Sequence, residues 1–365
     1  MRILHVITSL RAAGAERLVV ELSRRFVKAG DTAEVLLFDG TGTHFYDLLD
    51  AAGVRVHSLG MGGRAMHNPL LMFRMRRFLK RNRYDIIHTH NTPCQLFAAV
   101  VAPRRALVTT EHSTSNRRRG HAILRPFDRW MYSRYRHIVC VGEEVRSELT
   151  RWLDDERLEA RMSVIPNGVD IEHVRNAQPD PELASDTRFK VLMVSSFRPM
   201  KDHLTLIRAM SLLPEDYVLY LAGGAEFPAH KAIMASCRQA VEEMGLLGRV
   251  RFLGRMDHVA GLINACDVVV LSSRHEGMPI SILEAMAAGK PVLASDVNGI
   301  RDIVGGAGIL FPCGDSEKLA EEIRGLYENP EKAREIGARC FERARQFDIG
   351  KTADRYRELY KVIIQ

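Results

Sequence analysis

The stretch from Val268 to Ala294 constrains the fold most. Val268-Val269-Val270-Leu271 is a short, unbroken apolar run, as in a strand covered on both faces of its sheet. A polar loop follows, and Pro279 suits the first turn of a helix. Gly289 and Pro291 stop that helix, and Val292-Leu293-Ala294 begins another strand. A strand returning through a helix to a second strand makes a right-handed parallel pair. The same alternation runs through the chain. Strands are expected at Ile3–Ile7, Ala33–Phe38, Val54–Ser58, Ile86–His88, Leu107–Thr110 and Ile138–Val141, with helices such as Ala15–Ala29 and Leu70–Arg81 between them. A second set runs through Phe189–Val194, Val218–Ala222, Val250–Leu253, Val268–Leu271, Val292–Ala294 and Gly308–Leu310. The chain therefore reads as α/β, with doubly wound parallel sheets.

With 365 residues, two domains of ordinary size are expected, each a Rossmann-like sheet with its own core. Ser163 to Asp170 reads as a strand and a turn, and the polar stretch Asn176–Arg188, with Pro179 and Pro181, as a linker. The tail from Phe347 reads as one amphipathic helix. The expected division is residues 1–172, residues 173–345 and a terminal helix at 346–365.

Apolar content of 46% with 27% charged residues fits a globular chain. No apolar run approaches the roughly 20 residues needed to cross a bilayer, and Met1 to Ile7 reads as a strand rather than a leader. The six cysteines are scattered, with no Cys-x-x-Cys pair, so a reduced cytoplasmic protein without a structural metal is expected. The net charge of +7 is uneven: residues 1–170 hold 27 Lys/Arg against 18 Asp/Glu, and residues 71–136 hold 15 against three. Such a patch attracts an anionic surface, at about 1 kcal/mol per basic residue near a charged leaflet. A solvated basic face is the plain alternative, and no recognised nucleic-acid module is present.

Glu276 falls in the loop at the carboxyl end of the Val268–Leu271 strand, where ligands bind in open α/β sheets, and Glu284 lies on the helix behind it. A carboxylate there can hold a sugar hydroxyl while free N–H groups hold phosphate. Leu10 to Arg17 has one glycine, Gly14, rather than the Gly-x-Gly-x-x-Gly of a dinucleotide site, which counts against a dehydrogenase. His88 and His90 stand two apart at a strand end without a third ligand at metal-site spacing, so they read as a polar acceptor rim. No Asp-x-Asp occurs. Arg117-Arg118-Arg119 lies near Ile123, Leu124, Phe127 and Trp130, the mixture that docks at membrane interfaces.

The string Ser272 to Pro291, with two glutamates, the Gly277–Pro279 turn and the Gly289-x-Pro291 exit, resembles the signature of retaining glycosyltransferases of family 4. The Ile165-Pro166-Asn167-Gly168-Val169-Asp170 string is similar to the segment ending that family's first domain. The resemblance covers nearly the whole chain. It implies the GT-B fold: two Rossmann-like domains facing a cleft, the last helix crossing back to the first. It also implies a metal-independent, cofactor-free transfer of a sugar from a nucleotide diphosphate sugar, UDP- or GDP-linked, to a glycan or lipid-linked acceptor in cell-surface polysaccharide assembly. On matching positions, Lys201 would hold the donor diphosphate, and Glu276 would face the donor sugar and support the reacting carbon. Glu284 would take the ribose, and Gly277 and Met278 would offer backbone N–H groups. The family arginine five residues before the lysine is Ser196 here; Arg198, two residues on, points the same way in an extended segment and is expected to replace it. Gly14 would approach the diphosphate from the first domain. His112 would sit near the anomeric carbon, with a usual imidazole pKa near 6.5 suited to moving a proton. Arg255 and Met256 would flank the base. Arg117, Arg118, Arg119 and Trp130 would meet the acceptor or an anionic membrane surface, placing the chain on the inner face of the cell membrane. The readings left open beside transfer are a nucleotide-sugar 2-epimerase of the same fold and a non-catalytic sugar-nucleotide or membrane-binding protein.

Overall fold

A computed structural model describes residues 1–11, 14–61, 68–114 and 117–365, without the side chains of Arg105 and Arg117. The contacts divide the chain into two units, residues 1–168 with 349–365, and residues 169–348.

Among the described residues, the first unit holds seven parallel strands: β1 (Arg2–Ile7), β2 (Thr32–Leu37), β3 (Arg55–Ser58), β4 (Ile86–Thr89), β5 (Leu107–Glu111), β6 (His137–Cys140) and β7 (Met162–Val164). Their order is β3-β2-β1-β4-β5-β6-β7, so the winding reverses between β1 and β4. The terminal helix Ile349–Ile364 buries Ile349, Ala353, Tyr356, Tyr360 and Ile363. Their spacing is one helical stripe, and it packs with Ile3, Phe26, Ile86, Val108 and Val139.

The second unit holds six parallel strands: β8 (Phe189–Val194), β9 (Tyr217–Ala222), β10 (Val250–Gly254), β11 (Val268–Leu271), β12 (Val292–Ser295) and β13 (Ile309–Phe311). The order β10-β9-β8-β11-β12-β13 reverses between β8 and β11. β11 is buried at all four positions, as its unbroken apolar run requires.

Two expectations change. The boundaries move from 172 and 346 to 168 and 349, because Val169 and Asp348 bridge side by side within the second unit, with Val169 N–H donating to the Phe347 carbonyl at 2.9 Å. The stretch Asn176–Arg188 is also no loose linker. It contains a helix, Pro181–Ser185, whose Asp180 cap accepts from two backbone N–H groups, and Leu183 is buried. Asp186 pairs with Arg188 at 2.6 Å and accepts from Tyr220, which holds its carboxyl well below the usual range. All six cysteines are free thiols, five of them buried. Among the described residues no helix is long and apolar enough to cross a membrane.

Candidate functional site

In the second unit, the loops leaving β8 and β11 flank the reversal point, where strand ends diverge and open a crevice. The β8 loop passes through Arg198 into a short 3₁₀ turn, Pro199–Lys201. It ends on Asp202, which adopts a left-handed conformation with φ of 45°. That conformation is costly for a residue with a Cβ and persists where surroundings hold it. Here they do. The Asp202 carboxylate accepts from Thr205 Oγ1 and from Arg274 Nε, both at 2.9 Å. Ser272 Oγ donates to the Asp202 carbonyl at 2.9 Å, and Arg274 N–H to the Met200 carbonyl at 2.7 Å.

The stitching presses the β8 loop against the β11 loop and places the Lys201 ammonium in an ion pair with the Glu276 carboxylate. Ser273 Oγ donates to the same carboxylate oxygen at 2.6 Å, and Ser295 Oγ holds the Ser273 carbonyl. The Lys201 and Glu276 side chains are 17% and 10% exposed, so each remains reachable from solvent while partly desolvated. An ammonium beside a carboxylate at a sheet's reversal point can take an anionic ligand on one side and stabilise positive charge on the other.

Gly299 supports this loop from behind. A Cβ there would overlap the Glu276 carbonyl oxygen and stand 2.6 Å from that of Gly277. Gly299→Ala is therefore expected to cost about 1–3 kcal/mol through overpacking. Thermal melting checks this; an unchanged melting temperature would reject the contact.

The other expected residues of this unit are spread over the β8 and β11 loops, the helix after β11 and the end of β10. Glu284 is on the helix Ile280–Ala287 and is only 3% exposed, so it is no ordinary surface glutamate. Met278 is buried and Gly277 half-buried. Arg198 is exposed, with no carboxylate partner among the described residues. Arg255 follows β10, 3.8 Å from the Glu226 carboxylate beyond β9, with Met256 half-buried beside it. Gly223 joins these loops: its N–H reaches the Gly254 carbonyl at 2.7 Å, and a Cβ would overlap the Ser195 carbonyl.

In the first unit the strand ends gather histidines. His5 of β1 is the register partner of His88 of β4, and His90 and His112 follow β4 and β5. His5 Nδ1 lies 2.9 Å from His90 Nε2, and His90 Nδ1 lies 3.3 Å from His112 Nε2. His88 is engaged separately, with Tyr360 OH at 2.6 Å and Thr110 Oγ1 at 2.7 Å. Burial pulls His5 down to about 3 and His112 down to about 4, and pulls His88 and His90 well below the usual imidazole range.

Three expectations are corrected by this arrangement. His88 and His90 form no rim; both are fully buried, and β1 supplies the third imidazole that local spacing hides. That trio brings three ring nitrogens within 4.8 Å of one another, but both His88 nitrogens are already hydrogen-bonded. His112 does not titrate near 6.5, because desolvation disfavours its charged form. Arg118 and Arg119 do not face outward. Arg118 pairs with buried Asp128 at 3.0 Å, where Trp152 Nε1 also donates at 2.9 Å. Arg119 donates at 3.0 Å to Glu111, the residue before His112, which Tyr132 OH also meets at 2.6 Å. Charge-assisted hydrogen bonds to these buried carboxylates fix both guanidinium groups in place. The outward face is apolar: Ile123 is 86% exposed, and Phe127 and Trp130 are exposed beside it, their rings 5.8 Å apart. Gly14 is exposed and opens the helix Gly14–Lys28; Ala12 and Ala13 lie outside the described residues, as does the Arg117 side chain.

His5, Ser273, Asp202 and Gly299 are absent from the sequence reading. His5 and Gly299 act through neighbours distant along the chain, Asp202 through Arg274 and Ser272, and Ser273 through Glu276, three residues on within the signature string.

Comparison with known proteins places the chain. Residues 12–173 match the family model described as Glycosyltransferase Family 4, and residues 174–343 match Glycosyl transferases group 1. A phosphatidyl-myo-inositol mannosyltransferase of Mycobacterium leprae is 26% identical, over 96% of this chain and 93% of its own. The UDP-Gal:alpha-D-GlcNAc-diphosphoundecaprenol alpha-1,3-galactosyltransferase of Escherichia coli is 27% identical, over 62% of each chain. The crystal structure of Anabaena HepE in complex with UDP and glucose superposes with a TM-score of 0.86 at 23% identity, over 99% of both chains. Two parallel-sheet units wound in this order, with consecutive matches from residue 12 to residue 343, show that the chain belongs to the group 1 glycosyltransferases of family 4, with the GT-B fold.

Proposed function

We propose that this glycosyltransferase moves a sugar from a nucleotide diphosphate sugar to a glycan or lipid-linked acceptor in cell-surface polysaccharide assembly, retaining the anomeric configuration and using no metal ion or other cofactor. The observation that carries the reading is the Lys201–Glu276 pair, held at the reversal point of the second sheet by strained Asp202. Lys201, with Arg198 three residues before it, meets the diphosphate, so fixed cations take up the charge of the leaving group. Glu284 binds the ribose hydroxyls, the backbone N–H groups of Gly277 and Met278 bind the sugar or phosphate, and Arg255 and Met256 flank the base. Glu276 orients a donor hydroxyl and stabilises the oxocarbenium-like carbon.

In the reaction, the bond from the anomeric carbon to the diphosphate oxygen breaks. The acceptor oxygen bonds to that carbon on the same face, and its proton passes to the departing diphosphate. No protein nucleophile is needed, and a nucleoside diphosphate is released.

The names of the relatives favour transfer over an epimerase or a binding protein, and a lipid-linked acceptor accords with the diphosphoundecaprenol in one of them. The UDP complexes of HepE favour a uridine donor over a guanosine one. Exposed Ile123, Phe127 and Trp130, with Arg117 and Arg125 nearby in sequence, give the first unit a surface for an anionic inner leaflet.

Thermal shift against UDP, GDP and ADP sugars in EDTA tests the donor site. A ligand at 100 times its Kd stabilises the fold by about 2.7 kcal/mol. One nucleotide series is expected to shift the melt, and Lys201→Ala to abolish the shift. Absence of any shift, or an inverted product anomer by NMR, rejects the reading.

A further inference from the structure

We propose that His5 and His90 form a buried imidazole relay that fixes the tautomer of His112, so that His112 presents Nδ1–H to an oxygen of the bound sugar or phosphate. His5 and His90 are positioning residues in this scheme. It rests on the reading of His112 as a group facing the donor, and it assigns His112 the role of a hydrogen-bond donor rather than a base.

The argument is one of proton counting. Each neutral imidazole carries one N–H and one bare nitrogen. Burial keeps these rings neutral at physiological pH. His5 Nδ1 meets His90 Nε2, and His90 Nδ1 meets His112 Nε2. The rings therefore share only two mutually consistent arrangements. In one, His5 donates to His90 and His90 donates to His112; Nε2 of His112 accepts and its proton sits on Nδ1. In the other every hydrogen bond reverses, and His5 must carry its proton on Nε2.

His5 Nε2 decides between them. It is buried and has no hydrogen-bond partner. A buried N–H without an acceptor is among the rarest groups in folded proteins, so the first arrangement is selected. The ring surroundings hold it in register: Phe26 stacks on His5 at 5.8 Å, and His88, tied to Tyr360 and Thr110, packs against His90 at 4.1 Å. His112, by contrast, is only partly buried, and it meets His90 through Nε2, which leaves Nδ1 as its other ring nitrogen. The relay therefore ends on an Nδ1–H donor of a ring that solvent can reach. With Nδ1 already protonated and Nε2 occupied, His112 has no site for the acceptor proton, which agrees with its transfer to the departing diphosphate.

The test is a long-range proton–nitrogen NMR correlation on the ¹⁵N-histidine-labelled full chain at pH 7.5, with His112 assigned from a His112→Asn variant. The expected result is a protonated Nδ1 and a bare Nε2 on His112. A protonated Nε2 overturns the proposal. In His5→Phe, His112 is expected to become a mixture of tautomers, and kcat to fall about tenfold, the loss of one oriented hydrogen bond, with the Kd for UDP unchanged. His5→Gln, whose amide can donate to His90, is expected to restore both. A His5→Phe variant with parental tautomer and kcat also overturns the proposal. The NMR reading needs no turnover, so a chain that transfers no sugar would reject the proposed function while leaving the relay separately decided.

Discussion

Glu276→Gln is expected to bind UDP at least as tightly as the parent chain, while turnover falls by about 10²–10³. The two effects separate because the carboxylate acts differently on ground state and transition state. In the free site it pairs with Lys201 and stands beside the place proposed for the diphosphate. Like charges at about 4 Å repel by about 4 kcal/mol at an effective dielectric of 20, and the pair also withholds Lys201 from the ligand. The amide removes both penalties while still accepting from Ser273. In the transition state positive charge grows on the anomeric carbon, and the amide cannot stabilise it. The lost stabilisation corresponds to about 2.7–4 kcal/mol. Lys201→Ala is expected to lose both binding and turnover, since it removes the cation and leaves Glu276 uncompensated. Calorimetric titration with UDP, alongside single-turnover rates, separates the cases. Turnover of Glu276→Gln within threefold of the parent rejects a charge-stabilising role. A tenfold loss of UDP affinity would instead assign Glu276 to positioning Lys201.

Acid is expected to unfold the first unit before the second. His5, His88 and His90 are fully buried and held neutral, each with a folded pKa below its unfolded value near 6.5. Above pH 7 these rings are neutral in both states and contribute nothing to pH dependence. As pH falls below 6.5, the unfolded chain takes up protons that the folded chain cannot, so stability is lost. Each ring costs about 1.4 kcal/mol per pH unit. Three rings together cost about 5 kcal/mol between pH 6.5 and 5, against a total of about 5–15 kcal/mol for an ordinary domain. His112 and His137, also lowered by burial, act in the same direction. Asp128, whose carboxyl burial pushes up, opposes them as a single group. The second unit has His203, lowered to about 4, and the half-buried His230, also lowered by burial. Amide exchange at pH 7.5 and pH 5, corrected for intrinsic rates, should show β1, β4 and β5 losing protection while β8, β11 and β12 keep theirs. Parallel loss in both sheets would refute the assignment.

The strands, the doubly wound class and the Glu276 loop were legible in the sequence because each is written in local order. Val268–Leu271 reads as a buried strand, Gly289 and Pro291 as the end of a helix, and the loop between them as lying at the strand's carboxyl end. The apolar stripe of the last helix, Ile349 to Ile363, was equally visible as a period of 3.6. Lys201 was legible only through its family resemblance, since a lysine near a turn has no local mark.

Tertiary structure decided which side chains meet. Lys201 and Glu276 are 75 residues apart, and His5 and His90 are 85 apart. No periodicity relates them; parallel strand order does, by bringing β8 beside β11 and β1 beside β4. The same holds for charge. Arg118 and Arg119 read as a surface basic run because sequence shows charge but not burial, and only the fold supplies Asp128 and Glu111 as their partners. Protonation followed the same rule: the histidine positions come from the sequence, but their neutral state comes from desolvation, which exists only once the sheet and the terminal helix have closed over them.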